Sequence, residues 1–128
     1  MDAAIRKAIV AELDGSFGAA VDRTPVDGQP AHVMLTYLKL PRGWTPSPTR
    51  AMVVFTGWPG QRPDFYIDVS VRDSQGNPPR NNGGNLQPAS NVLGESWQAF
   101  SFPFTWPNGP KTPTRAVQLW LGRFRFPG

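Results

Sequence analysis

Apolar and polar residues alternate most strictly in residues 64–72. Four apolar side chains take every second position, with other residue types between them: Phe65, Ile67, Val69 and Val71 against Tyr66, Asp68, Ser70 and Arg72. A period of two residues is typical of a β-strand with one buried face. Pro59 and Pro63 fix the backbone just before this run. We therefore predict a half-buried strand over residues 64–72, preceded by a rigid segment that starts at Gly57.

Helical periodicity occurs near both ends of the chain. Asp2 can cap a first helix over residues 3–13, whose apolar side chains recur at helical spacing: Ile5, Ala8, Ile9 and Leu13. Thr112 or Thr114 can cap a last helix over residues 113–125, whose inner face combines Val117, Trp120, Leu121 and Phe124. We expect both helices to pack on a sheet.

Further β-favouring runs cover residues 31–40 and 51–56, and residues 16–30 suggest a short strand and then a turn. Their short connections favour an antiparallel meander, because parallel pairing needs a crossover of about a dozen residues. No regular element fits residues 73–95, which are rich in Gly, Pro and Asn. The aromatic residues of 100–106 keep a strand period, although Pro103 excludes a central strand. The predicted fold is α+β: an antiparallel meander of three to four strands with an N-terminal and a C-terminal helix packed on it.

The composition favours one folded domain over residues 1–128. The chain has 15 prolines and 13 glycines, but 39% of its residues are hydrophobic and 12% are aromatic, which is too apolar for a disordered chain. There is no cysteine, so disulfides, thiolate nucleophiles and thioesters are excluded. Without a signal run or a long apolar span, we expect a soluble, cytoplasmic protein that does not engage membranes. The net charge of +4 suits acidic partners but is too small to indicate nucleic acid.

Several local patterns have both a chemical and a structural interpretation. His32 is the only histidine, and nothing around it suggests a catalytic triad or a metal site, so we expect a structural role, no metal and no cofactor. Asp64, Asp68 and Asp73 fit a solvated face better than paired acid–base groups. The aromatic residues between Trp97 and Trp106, with nearby arginines, could stack on a peptide or nucleic acid, but a core under the last helix is the favoured interpretation.

Four short segments together resemble the ubiquitin-conjugating enzyme family. Trp58-Pro59 followed by Arg62-Pro63 is similar to that family's Tyr-Pro-x-x-Pro-Pro crossing, and Trp106-Pro107 is similar to its Trp-Ser-Pro segment. Leu40-Pro41-Arg42-Gly43-Trp44 and Trp97-Gln98-Ala99-Phe100-Ser101 resemble segments of a divergent bacterial branch. The resemblance implies the ubiquitin-conjugating fold, a place in a bacterial ubiquitin-like modification pathway, and two partners, the ubiquitin-like protein and its activating enzyme.

The chain departs from that family where the chemistry should be. The family's catalytic cysteine would fall near residues 97–101, and none is present. Three explanations remain open: a non-catalytic binding module, a serine that carries the ubiquitin-like protein as an oxyester, or a cysteine lost by mutation. Ser101 is the better serine because it lies in the matching segment, and Ser96 is the weaker candidate. A serine needs a base or strong positioning, since its hydroxyl is almost fully protonated at neutral pH.

The resemblance also suggests supporting and partner-binding residues. Asn77 and Asn91 could supply amide donors to an oxyanion in place of the missing His-Pro-Asn motif. The expected partner-binding residues are three of the four tryptophans in the matching segments and one arginine: Trp58, Arg62, Trp97 and Trp106. The alternative function is a non-catalytic module that binds a ubiquitin-like protein, an activating enzyme or, with less support from the sequence, nucleic acid.

Overall fold

One open antiparallel sheet with two helices forms the part of the chain that the computed structural model describes, residues 1–79, 89–99 and 111–125. The strands lie in the order β1-β2-β3-β4-β6-β5. The elements in chain order are α1 (Ala3–Phe17), β1 (Ala20–Asp22), β2 (His32–Leu38), β3 (Thr49–Val54), β4 (Asp64–Ile67), β5 (Ala89–Val92), β6 (Glu95–Ala99) and α2 (Pro113–Leu121), followed by a 3-10 turn at Gly122–Arg125. The α+β class and the predicted meander of β1 to β4 are confirmed.

The register of the meander separates two faces of the sheet. Val33, Val53 and Phe65 lie side by side on neighbouring strands, and so do Met34, Met52 and Tyr66. Successive strand residues point to opposite faces, so these two rows belong to different sides. Val33, Val53 and Phe65 face both helices, in the larger of the two apolar clusters. We call this side the helix face and the opposite side the second face.

The helix face carries most of the apolar core. Ile9 and Leu13 of α1 and Val117 and Trp120 of α2 are buried against it. Trp120 stacks on Phe65 with ring centroids 4.7 Å apart and nearly parallel planes. Such aromatic pairs add about 0.5–1.5 kcal/mol to the free energy gained from burial alone. Both predicted helices therefore pack on the sheet, and they pack on the same side of it.

Both helices begin where the sequence predicts. The Asp2 carboxylate accepts the Ala4 amide at 2.7 Å, and the Thr112 hydroxyl accepts the Arg115 amide at 3.1 Å. The ends differ from the prediction. α1 continues past residue 13 to Phe17, and Gly18 ends it with a φ of 76°. α2 gives way to a 3-10 turn at Gly122. Ile5, predicted as part of the inner face of α1, is 51% exposed.

The 3-10 turn after α2 is held by a buried hydrogen bond. The indole Nε1 of Trp44, in the connection between β2 and β3, donates to the Phe124 carbonyl at 2.6 Å. The two rings also meet edge to face, with centroids 5.2 Å apart. This contact ties the end of the described chain to the middle of the meander.

The predicted strand over residues 64–72 is shorter than its alternation suggests. β4 ends at Ile67, because the Asp68 carboxylate accepts the Ser70 amide at 2.9 Å and turns the chain. Val69 is 39% exposed and was wrongly predicted as buried, whereas Val71 beyond the turn is fully buried. A local side-chain hydrogen bond therefore overrides the two-residue pattern.

The sheet is larger than the predicted meander of three to four strands, and the prediction of no regular element in residues 73–95 is wrong. The described part of the chain has six strands, and β5 and the start of β6 lie in that stretch. Leu93 and Gly94 both have positive φ, at 54° and 82°, and form the two-residue turn that suits a β-hairpin. The Asn91 side chain accepts the Gly94 amide at 3.0 Å. The strand period predicted for residues 100–106 lies outside the described residues.

None of the helices in the described residues is both long and apolar enough to cross a membrane.

Candidate functional site

The second face of the sheet is covered by the β5–β6 hairpin. Tyr66 pairs with Ala99 and Ile67 with Gln98, so Trp97 shares the side of Tyr66. Trp97 is fully buried there, in a separate apolar cluster with Met52 and Val54. The hairpin therefore closes a small second core on the side of the sheet away from the helices.

Four charged side chains border this second core and pair with one another. The Glu95 carboxylate accepts from Arg23 at 2.7 Å through Oε1 and from Arg50 at 2.6 Å through Oε2. Arg50 also donates through Nε to Asp68 at 2.6 Å. We call Arg23, Glu95, Arg50 and Asp68 the charge cluster. It joins the hairpin to β3, to the chain just after β1 and to the chain just after β4.

The cluster keeps both of its carboxylates ionised. Hydrogen bonds from Arg23 and Arg50 hold the pKa of Glu95 below its ordinary value, against the opposing effect of burial. Burial raises the pKa of Asp68, but hydrogen bonds from Arg50 and Ser70 outweigh it, so the pKa of Asp68 also lies below its ordinary value. A general base needs a pKa near the working pH. These carboxylates are therefore suited to holding the hairpin rather than to proton transfer.

Ser96 and Asn91 are brought together by the hairpin, directly opposite each other in register. Both are exposed. The Asn91 amide oxygen already accepts the Gly94 amide and so serves the turn. Among the residues that the structure describes, none forms a hydrogen bond with the Ser96 hydroxyl. Within the described part of the chain, Ser96 therefore has none of the positioned bases that a serine nucleophile requires.

Asn77 also serves a turn. Its backbone amide donates to the Asp73 carboxylate at 2.9 Å, and its backbone carbonyl accepts the backbone amide of Asp73 at 2.8 Å. This closes the loop that follows the isolated bridge between Thr45 and Arg72. Ser101 and Trp106, the other predicted site residues after β6, lie outside the described residues.

Two predicted partner-binding residues lie in the connection between β3 and β4. Trp58 is half-buried, precedes a cis peptide bond to Pro59, and meets Phe55 edge to face at 5.2 Å. Arg62 is exposed. Gly57 has a φ of 71° and the Gln61 side chain lies against it, where a Cβ would come within 2.7 Å of Gln61 Oε1. This compact loop presents Arg62 and one edge of Trp58 to solvent.

Trp97 is not accessible in the way a partner-binding residue must be. Its side chain is fully buried under the hairpin, and its indole Nε1 forms no hydrogen bond with any residue that the structure describes. Nor does it pack under the last helix, which was the favoured interpretation of the aromatic residues, because α2 lies on the helix face. Trp97 is a core residue of the second face.

His32 donates through Nδ1–H to the Pro30 carbonyl at 2.8 Å, in the form of the ring that carries a proton on Nδ1. This contact fits the structural role predicted for it. Within residues 1–79, 89–99 and 111–125, no three His, Cys, Asp or Glu side chains come together to hold a metal ion.

The charge cluster was not predicted from the sequence. Arg23, Arg50 and Glu95 are far apart in the chain, and only Asp68 had been singled out. A weak signal exists in retrospect, because Arg50 precedes Met52 and Val54 at a spacing of two and so shares their face. Finding Glu95 would have required the hairpin turn at Leu93 and Gly94 to be recognised first.

No protein-family model, curated protein or solved structure was found to match the chain.

Proposed function

We propose that this protein is a conjugating-enzyme-like component of a bacterial ubiquitin-like modification pathway, with the ubiquitin-conjugating fold. The observation that supports it best is the order of elements. A first helix, a four-strand antiparallel meander and a later helix follow one another, and both helices lie on one face of the sheet. That is the arrangement expected from the sequence resemblance, and it arises in a chain whose short segments are similar to those of the family.

In two of those segments, the tryptophan has a clear structural role. Trp44 is buried and donates to the Phe124 carbonyl, and Trp97 fills the second core. Trp58, in the crossing segment, leans on Phe55. These contacts support the resemblance through the fold and say nothing about the reaction, which must be proposed separately.

The proposed reaction is transfer of the ubiquitin-like protein to Ser101. The serine oxygen attacks the carbonyl carbon of the thioester that joins the ubiquitin-like protein to its activating enzyme. An oxygen–carbon bond forms, the carbon–sulfur bond breaks, and the serine proton goes to the departing thiolate. Ser101 is preferred because it lies in the segment that resembles the family, and Ser96 has no positioned base among the described residues.

The test is incubation with ATP, the activating enzyme and the ubiquitin-like protein encoded in the same genome, followed by intact-protein mass spectrometry. The proposal predicts an adduct that hydroxylamine cleaves and that thiol reductants leave intact. Ser101→Ala should abolish it, and Ser96→Ala, a matched removal of one hydroxyl, should retain it. An adduct that survives Ser101→Ala contradicts the assignment of Ser101.

A non-catalytic role is the second candidate, and the hairpin favours it. The charge cluster and the buried Trp97 make the residues just before Ser101 a closed structural unit. In this version the domain binds the ubiquitin-like protein or the activating enzyme without accepting an acyl group. Complex formation with no adduct in the same incubation would support it over the oxyester.

A further inference from the structure

A groove of about 520 Å³ lies between the segment that follows β2 and the outer side of α2. Its walls combine two cations, one amide and three apolar side chains: Lys39, Arg115, Gln118, Leu40, Pro41 and Leu121. Arg115, Gln118 and Leu121 are three residues apart, so they form one stripe along the helix. The groove lies within the size range of ligand-binding pockets, about 300–1,000 Å³.

Neither of the two cations of the groove has an anionic partner among the described residues. Neither the Lys39 ammonium nor the Arg115 guanidinium forms an ion pair or a hydrogen bond with a described residue. Arg6, Arg23 and Arg50, in contrast, each contact a carboxylate. No carboxylate is found among the described residues that line the groove. The described residues therefore leave the positive charge of the groove without a paired carboxylate.

The remaining lining residues restrict what kind of anion fits. Leu40 is 9% exposed, and Leu121 and Pro41 are half-buried, so some apolar surface lies beside the two cations. Nucleic-acid sites neutralise many phosphates and stack bases on aromatic rings, whereas the described lining offers two cations and no aromatic side chain. Apolar surface beside two cations instead complements a peptide that carries carboxylates beside an apolar side chain.

We propose that this groove binds a short acidic peptide segment of a partner protein, with carboxylates on Lys39 and Arg115 and an apolar side chain against Leu40 and Leu121. Gln118 supplies an amide for the peptide backbone. The net charge of +4 also favours the approach of an acidic partner. The inference does not depend on the proposed role in ubiquitin-like modification, and it is tested with synthetic peptides alone.

The test uses three fluorescein-labelled octapeptides: one alternates Glu and Leu, one has Gln in place of Glu, and one has Gly in place of Leu. Binding is measured by fluorescence anisotropy and located by amide chemical shifts in the 15N-labelled full chain. The Glu–Leu peptide should bind best, lose affinity with added NaCl, and shift the amides of residues 39–41 and 115–122. Equal binding of the Gln–Leu or Gly–Glu peptide, or shifts confined to other residues, would overturn the proposal.

Single charge removals provide matched variants. Lys39→Gln and Arg115→Gln should each weaken binding of the Glu–Leu peptide about threefold or more, the size of a modest charge contact. Lys7→Gln, which removes an exposed cation of α1, should leave the affinity unchanged. An equal loss in all three variants would mean attraction by net charge only, and the groove would not be the site.

Two competing probes test the class of ligand. Inorganic phosphate at the peptide concentration should not reproduce the pattern of amide chemical-shift changes, because it has no apolar group to place against Leu40 and Leu121. An oligothymidine of matched charge should bind more weakly than the Glu–Leu peptide. Either probe matching the peptide at residues 39–41 and 115–122 would overturn the peptide assignment, in favour of a simple anion site or a nucleic-acid site.

Discussion

The Arg50 guanidinium lies over the Trp97 indole, with its central carbon 4.3 Å from the ring centroid. Arg50 at the same time forms ion pairs with Asp68 and Glu95. Arg50 of β3 thus contacts the hairpin in two ways, by stacking on the Trp97 ring and by pairing with the Glu95 carboxylate. We regard this contact as the reason that β5 and β6 cover the second face.

The Arg50–Trp97 contact should be measurable as a coupling energy. A double-mutant cycle of Arg50→Met and Trp97→Leu, followed by urea unfolding, should give about 0.5–2 kcal/mol of favourable coupling, as expected for a partly desolvated cation–π pair. The control cycle combines Trp97→Leu with Lys7→Met on α1, and its effects should add. A coupling indistinguishable from that control would mean that the stacking contributes nothing.

Glu95→Gln should loosen the hairpin more than the rest of the fold. The substitution keeps the shape of the side chain but removes the charge that pairs with Arg23 and Arg50. We expect a lower Tm and faster hydrogen exchange in β5 and β6, with α1 amides changed less. Asp64→Asn is the matched control, because the Asp64 carboxylate, although partly desolvated and near the charge of Arg62, forms no ion pair with a described residue. Equal effects of the two substitutions would contradict the role of Glu95.

Stability should fall as the cluster is acidified. Because the folded-state pKa values of Glu95 and Asp68 lie below their ordinary values, the stabilisation is complete above those ordinary values and is lost as the pH falls through the folded values. The pKa of Asp64 is raised by burial, partly opposed by Arg62, and acts in the opposite sense. Thermal melts between about pH 6 and pH 3 should show a smaller decline in Asp68→Asn than in the unmodified chain. Parallel curves would contradict this.

Trp120→Ala should be among the most damaging single changes on the helix face. Its ring stacks on Phe65 and meets Phe124 edge to face at 5.4 Å. Removing a buried tryptophan leaves a cavity and costs about 3–5 kcal/mol. Gln118→Ala, an exposed change in the same helix, should cost about 0.5 kcal/mol or less. Chemical denaturation compares the two, and similar losses would argue against the aromatic packing described.

The helix face was predictable from the sequence because its signals are local. Capping by Asp2 and Thr112 and the apolar spacing in α1 and α2 all act within a few residues of the chain. The strand period of Phe65 and Ile67 is equally local. The prediction from alternation was wrong at Val69, because the Asp68 carboxylate accepts a hydrogen bond from the Ser70 amide and the strand ends there.

The second face was missed because its signals depend on distant contacts. Glu95 lies 45 residues after Arg50 and 72 after Arg23, so no sequence window contains the charge cluster. The turn at Leu93 and Gly94 was hidden within a Gly- and Asn-rich stretch that suggested a loop. Of the candidate site residues, Asn91 and Ser96 lie opposite each other in one hairpin, and Trp97 is buried. Neither the spacing of apolar residues nor the composition could indicate this.

The central claim is tested most directly by association of the purified chain with the activating enzyme and the ubiquitin-like protein of the same genome. Isothermal titration calorimetry should detect binding to at least one of them. Arg62→Glu, in the exposed loop between β3 and β4, should weaken it at least tenfold if that loop makes a charged contact, whereas Lys7→Glu should not. No heat of binding with either protein, under conditions in which the chain is shown to be folded, would contradict the proposed place in such a pathway.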